Sequence, residues 1–296
     1  MSVDLPASVR RGAGRNGLER LAITTGRAIG EVYLHGAHVT AWQPTGAAPV
    51  LWVSRDSLFD AAKPIRGGVP VCFPWFAAHG TDASAPMHGF ARLRTWTLTS
   101  AEDRDGEVHL TYELVDDELS RRSAWPHRFR ARYRVVVGDR LGLGLDVYNT
   151  GDAPFTFEAA LHTYFSVKDI RQVSVTGLAG TDYLDKVDGF ARKREGEAPV
   201  RFVGETDRIY LDTEATCTID DPGLQRRIEI AKTGSRSTVV WNPWVDRARA
   251  IADFGDDEWP SMLCIETANV RDAAVALEPG SHHTMTAVVE VRPPTG

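Results

Sequence analysis

Apolar and polar residues alternate with a period of two along much of the chain. In FRARYRVVV, Phe129, Ala131, Tyr133, Val135 and Val137 share one parity, and Arg128, Arg130, Arg132 and Arg134 the other. A strand sends successive side chains to opposite faces, so this pattern predicts a half-buried antiparallel strand. EVHLTYEL repeats it with Val108, Leu110, Tyr112 and Leu114, LGLGLDVYN with Leu141, Leu143, Leu145 and Val147, and TMTAVVEVR with Met285, Ala287, Val289 and Val291. Turn chemistry at Asp105-Gly106, Gly138-Asp139, Asn149-Thr150-Gly151 and Asp188-Gly189 punctuates the runs. Helical periodicity is confined to DDELSRR near Asp116 and a short turn after Pro243. Many strands with few helices predict an all-β sandwich or barrel.

No low-complexity linker divides the 296 residues, so the whole chain, 1–296, is expected to form a single domain. The charged stretch around residue 195 reads as a surface excursion within it. Residues 1–17 and 293–296, polar or Pro-rich, are expected to be loosely ordered. A formal net charge of −6 without a basic run argues against nucleic acid as a partner. An odd count of 3 cysteines, none paired as C-x-x-C, argues against a disulfide framework and for a reducing cytoplasm. No apolar run suits a signal peptide or a membrane helix, so a cytoplasmic protein without a membrane partner is expected. A monomer is expected as well.

Gly12, Gly14 and Gly17 spell G-x-G-x-x-G, but a polar terminus precedes them and the strand-like LERLAITT follows, the wrong setting for a dinucleotide site. His35 and His38 lie three apart in a predicted strand and so face opposite ways, and His282-His283 has the same defect. No metal site is expected on that ground.

Four segments carry candidate chemistry. In KPIRGGVPVCFPWFAAHG, residues 63 to 80, Arg66 is followed by Gly67-Gly68, then by Pro70 and Pro74 and the aromatics Phe73, Trp75 and Phe76. It reads either as a ligand loop whose aromatic faces suit a sugar ring or as a crossover packing aromatics into the core. MHGFARLRTWTL, residues 87 to 98, places His88 beside Arg92 and Arg94, which suit a phosphate or else a solvated strand face. In FEAALHTYFSV, His162 sits in an apolar run, either as a paired core histidine or as an acid–base group. In SMLCIETAN, Glu266 follows a continuously apolar strand, a costly place for a carboxylate unless the strand has reached solvent there.

Together with LHGAHVTAWQP, VLWVSRDSLFD, TDRIY, WNPW and LEPG, these segments resemble, in order from about residue 30 to the C-terminal strand, the aldose 1-epimerase superfamily, and within it the hexose-6-phosphate mutarotase branch. The resemblance implies a large antiparallel β-sandwich with few short helices and a sugar cleft on a concave sheet. It implies that the chain interconverts the α and β anomers of a hexose 6-phosphate, with glucose 6-phosphate the expected substrate and no cofactor. It assigns His162 and Glu266 as the catalytic pair, His88 as a second active-site histidine, and Arg66, Arg92 and Asp207 as ligand-binding positions. Trp75 and Phe90 are added as sugar-contacting aromatics. Met87 stands where the family commonly has Gln, a departure that bears on one polar contact to the sugar or phosphate. The alternatives are an epimerase of unphosphorylated aldoses, a non-catalytic carbohydrate-binding protein on the same scaffold, and a lyase or hydrolase on a related sandwich.

Overall fold

The computed structural model describes residues 3–294. The alternating runs form the strands they predict. Phe129–Val137 pairs with Glu107–Val115 on one side and Arg140–Asn149 on the other, and its odd positions are buried. The strand His282–Arg292 continues the same sheet, which holds nine strands and runs from Val200–Arg201 at one edge to Thr97–Arg104 at the other. Asp105 and Gly106, both at positive φ (54° and 79°), close a two-residue hairpin whose twist matches its strands. Among the described residues the two α-helices are Glu118–Arg121, capped by Asp117, and Trp244–Arg249.

A second large sheet, of eight strands, runs from Ala191–Arg194 through Asp182–Asp185, Thr206–Tyr210, Ser237–Asn242, Met262–Asn269 and Ala159–Leu161 to Val71–Cys72. Tyr164–Ser166 also pairs with Met262–Asn269. Parity sorts its side chains. Leu263, Ile265, Leu161, Val71, Val240 and Tyr210 enter the main core, which draws on both large sheets. The intervening residues Cys264, Ala160, Cys72, Val239 and Ile209 fall in separate clusters on the opposite face. Glu266 and Asp207 share that parity, and so reach the face turned away from the sandwich interior. This is an all-β sandwich of antiparallel sheets.

The expectation of a loosely ordered N-terminus is corrected from Val9 onward. Val9–Ala13 pairs with Glu19–Thr24 at the edge of a four-stranded sheet. Val9 is its one buried residue. Main-chain hydrogen bonds hold this strand, and a side-chain pattern does not report them. Residues 1–2 and 295–296 lie outside the described residues, and Pro293 and Pro294 are exposed without regular structure. Gly12, Gly14 and Gly17 belong to this edge strand and the turn after it, not to a helix start.

Candidate active site

The outer face of the eight-stranded sheet floors a cleft of about 650 Å³. His162 and Glu266 lie on that floor. Glu266 is carried by Met262–Asn269, whose eight residues are all buried. The strand does not reach solvent at Glu266, because other strands pair with it along both edges. His162 follows Ala159–Leu161 directly, and its backbone N–H donates to the Pro70 carbonyl at 3.0 Å. The imidazole Nε2 stands 3.4 Å from Glu266 Oε1. The ring stacks on Tyr164, with centroids 4.8 Å apart and planes within 9°, and meets the edge of Trp241.

Burial sets the electrostatics of the pair. His162 is 7% exposed and Glu266 1%. Desolvation lowers the imidazole pKa well below 6.5, and the cations Arg92 and Arg66 push the same way. Desolvation raises the carboxyl well above 4.5, with Asp207 adding to it. Both directions favour the uncharged forms, a neutral imidazole beside a carboxylic acid. Each also keeps a buried polar atom, His162 Nδ1 and Glu266 Oε2, without a hydrogen-bond partner among the described residues.

His88 faces His162 edge-on, with ring centroids 5.5 Å apart. Its Nδ1 accepts the Ala77 backbone N–H at 3.2 Å. That bond leaves the proton of the neutral ring on Nε2, so His88 acts as a hydrogen-bond donor. Desolvation, then Arg92, holds its pKa well below 6.5.

The cleft wall is cationic. Arg66 donates from Nη1 to the Tyr164 hydroxyl at 3.2 Å and from Nε to Asp253 Oδ1 at 3.1 Å. Arg92 is buried, and Nη2 donates to the Met87 carbonyl at 2.8 Å. Lys186 pairs with Asp207, and Arg247 also lines the cleft.

Residues 20–290 match the aldose 1-epimerase family model. The chain belongs to the aldose 1-epimerase family. A protein of Cenchrus ciliaris described as "Putative glucose-6-phosphate 1-epimerase" is 36% identical over 281 residues, 90% of this chain and 82% of that relative. An Escherichia coli protein of the same description is 39% identical over 236 residues, 79% of this chain and 78% of the relative. The crystal structure of a Salmonella typhimurium protein described as "a putative mutarotase (YeaD)" superposes with a TM-score of 0.91 at 30% identity, covering 99% of this chain and 96% of that one. The chain is an epimerase-type enzyme.

Within this epimerase-family fold, His162, Glu266, His88, Arg66, Arg92 and Asp207 all line one cleft. Trp75 and Phe90 do not, and their assignment as sugar-contacting residues is corrected. Trp75 packs in the main core and donates its indole N–H to the Pro86 carbonyl at 3.0 Å. Phe90 packs against Phe73 and Phe129. Phe76 lines the cleft instead, its ring meeting His88 edge-on at 4.7 Å.

The glycines beside these residues serve the chain itself. A Cβ on Gly67 would lie 2.4 Å from Val53 Cα, one on Gly68 2.2 Å from the Val39 carbonyl oxygen, and one on Gly89 2.1 Å from the Phe73 carbonyl oxygen. His35 and His38 donate from Nε2 to the Lys63 and Gly67 carbonyls, clamping the same loop. Arg94 turns away to Asp117. Tyr164, Lys186, Trp241 and Arg247 went unassigned in the sequence reading. Tyr164 was within reach, since it shares the parity of His162 two residues away.

Against the expectation of no metal ligands, the donor atoms of His162, Cys264 and Glu266 lie within 4.8 Å of one another. The sequence spacing concealed this, because Cys264 and Glu266 project from one strand and His162 from its neighbour.

Proposed function

We propose that the chain interconverts the α and β anomers of a hexose 6-phosphate, glucose 6-phosphate first among them, by acid–base ring opening and reclosure. The observation that carries this reading is the His162–Glu266 pair, 3.4 Å apart on the floor of a cleft walled by arginines.

Ring opening breaks the bond between C1 and the ring oxygen and makes C1 a carbonyl. Glu266, as carboxylate, takes the proton of the C1 hydroxyl. His162, as imidazolium, gives a proton to the ring oxygen. The pair ends as neutral imidazole and carboxylic acid, still holding one proton. Rotation about C1–C2 turns the other carbonyl face to the chain oxygen, and the reverse transfers close the ring. Positioned proton transfer of this kind is worth about 10²–10⁴-fold. The Nε2–H of His88 orients the sugar oxygen it faces.

Arg66 and Arg92 bind the phosphate, which has a second effect. These two cations oppose protonation of His162. A phosphate dianion on them offsets their part of that opposition, which adds to desolvation, and so favours the shared proton on His162, the starting state for ring opening. The substrate thereby arms its own acid. The cycle uses no cofactor, and one chain supplies every residue it needs, which supports a monomer. Among the described residues no helix is long and apolar enough to cross a membrane. The free, buried cysteines Cys72, Cys217 and Cys264 support a cytoplasmic setting.

The test is to add the protein to freshly dissolved α-glucose 6-phosphate, with α-glucose in parallel, and follow the anomer ratio by proton NMR. Fast relaxation of the phosphate ester alone supports the proposal. Equal acceleration of both sugars overturns the phosphate role, and relaxation at the buffer rate overturns catalysis.

A further inference from the structure

The proton-transfer scheme leaves Cys264 without a task, yet its side chain lies on the cleft face beside the reacting pair. It shares the parity of Glu266 on Met262–Asn269 and pairs in register with Tyr164 and Trp241, the two residues that flank the His162 ring. Its thiol, the His162 imidazole and the Glu266 carboxyl converge within 4.8 Å, and all three residues are buried.

The geometry points to a thiophilic metal-ion site formed by His162 Nε2, Cys264 Sγ and Glu266, which takes zinc or a chemically similar cation and switches the enzyme off. A tetrahedral zinc with its usual bond lengths brings such donors to about 3.4–3.6 Å from one another. His162 and Glu266 already stand at 3.4 Å, so the thiol has the only sizeable approach to make. An imidazole nitrogen, a thiolate and a carboxylate oxygen suit zinc or cobalt and not magnesium or calcium, which prefer all-oxygen shells. The unpartnered Glu266 Oε2 marks unused ligand capacity at this point, in a residue 1% exposed. The fourth coordination position opens toward the cleft, where water or a sugar hydroxyl completes the shell.

Binding exchanges protons for the cation. The cation takes one lone pair from each donor. The Cys264 thiol releases its proton to solvent, and so does the Glu266 carboxyl, leaving neutral imidazole, thiolate and carboxylate around a divalent ion. Binding therefore weakens as pH falls. The lone pairs so occupied are those the proton shuttle needs. The inhibitory consequence rests on the acid–base reading of the pair, whereas the binding does not.

The experiment titrates cobalt(II) into the full chain and reads the thiolate-to-cobalt charge-transfer absorption, with zinc and then magnesium as competitors. The expected result is a band that zinc abolishes and magnesium leaves, lost in Cys264→Ser and kept in Cys72→Ser and Cys217→Ser. Loss of a directly ligating thiolate should weaken binding by more than the roughly 10–100-fold that loss of an outer-shell partner costs. No band in the wild type, or a band surviving in Cys264→Ser, overturns the site. Far-ultraviolet circular dichroism checks the fold of each variant. Should Cys264→Ser not fold, Glu266→Gln keeps the thiol and must still weaken cobalt binding, and unchanged affinity there overturns the site equally. Anomer exchange is then measured with and without zinc. A band in a protein without epimerase activity refutes the proposed function and leaves the site standing, and activity without a band does the reverse.

Discussion

Exchanging one carboxyl oxygen for an amide in Glu266→Gln should move activity and stability in opposite directions. The side chain is 1% exposed and its Oε1 faces His162 at 3.4 Å, so the isosteric amide fits without repacking. It cannot accept the C1 hydroxyl proton. The loss should be the contribution of one positioned proton-transfer group, about 10²–10⁴-fold in kcat. That equals about 2.7–5.4 kcal/mol of transition-state stabilisation at about 1.36 kcal/mol per factor of ten. Arg66 and Arg92 are untouched, so KM for glucose 6-phosphate should hold, and kcat and kcat/KM should fall together. Stability follows from the raised carboxyl. In the unfolded chain Glu266 ionises near the ordinary value of 4.5, whereas in the folded chain burial delays ionisation to higher pH. The folded wild type therefore loses stability relative to the unfolded chain as pH rises from 4.5 toward the folded value. Glutamine does not titrate, so the variant should gain on the wild type across that window. Saturation kinetics by proton NMR and thermal unfolding at a series of pH values read both. A variant within about tenfold of wild-type kcat would refute the base assignment, and identical pH slopes of stability would refute the buried-carboxyl argument.

Three further substitutions separate binding, backbone and core roles. Arg92→Ala should raise KM for glucose 6-phosphate about 10- to 150-fold, the range of one charge-assisted hydrogen bond, and leave glucose little changed; equal effects on the two sugars would contradict the phosphate role. Gly68→Ala places a Cβ 2.2 Å from the Val39 carbonyl oxygen at φ +60°, and should lower Tm, with a cost of at least about 1–3 kcal/mol in denaturant melts. Trp75→Phe should destabilise by about 1–3 kcal/mol by removing the donor to the Pro86 carbonyl, which is left unpartnered, with KM for glucose 6-phosphate unchanged, whereas a raised KM would restore Trp75 to the sugar site.

What was legible in the sequence follows from which interactions leave a one-dimensional trace. Phe129–Val137 has one face on the core and one facing out, so its alternation could be read directly. Val9–Ala13 depends on edge hydrogen bonds and left no such trace. At Glu266 the residues admitted two readings, a buried carboxylate or a strand end at solvent. The decision lay in strands more than twenty residues away, Ser237–Asn242 and Ala159–Leu161, which pair along both edges. The aromatics of residues 63 to 80 show the same limit from the other side. Trp75 and Phe76 are neighbours of similar chemistry, and only the tertiary path of the loop sends one into the core and the other to the cleft. The resemblance to the epimerase family supplied His162, Glu266, His88, Arg66, Arg92 and Asp207. It was silent on Cys264, whose convergence with the pair is a property of two adjacent strands.

In the proposed mechanism His162 and Glu266 share one proton, which a bound phosphate favours on the imidazole. The direct measurement is the ring-nitrogen NMR shift of His162 in protein labelled with nitrogen-15 histidine and assigned with His162→Asn, followed against pH with and without glucose 6-phosphate. The expected result is a neutral ring at and just below pH 6.5 in the free protein, and movement toward imidazolium when the sugar phosphate binds. A ring that titrates at its ordinary value in the free protein and does not respond to glucose 6-phosphate would contradict it.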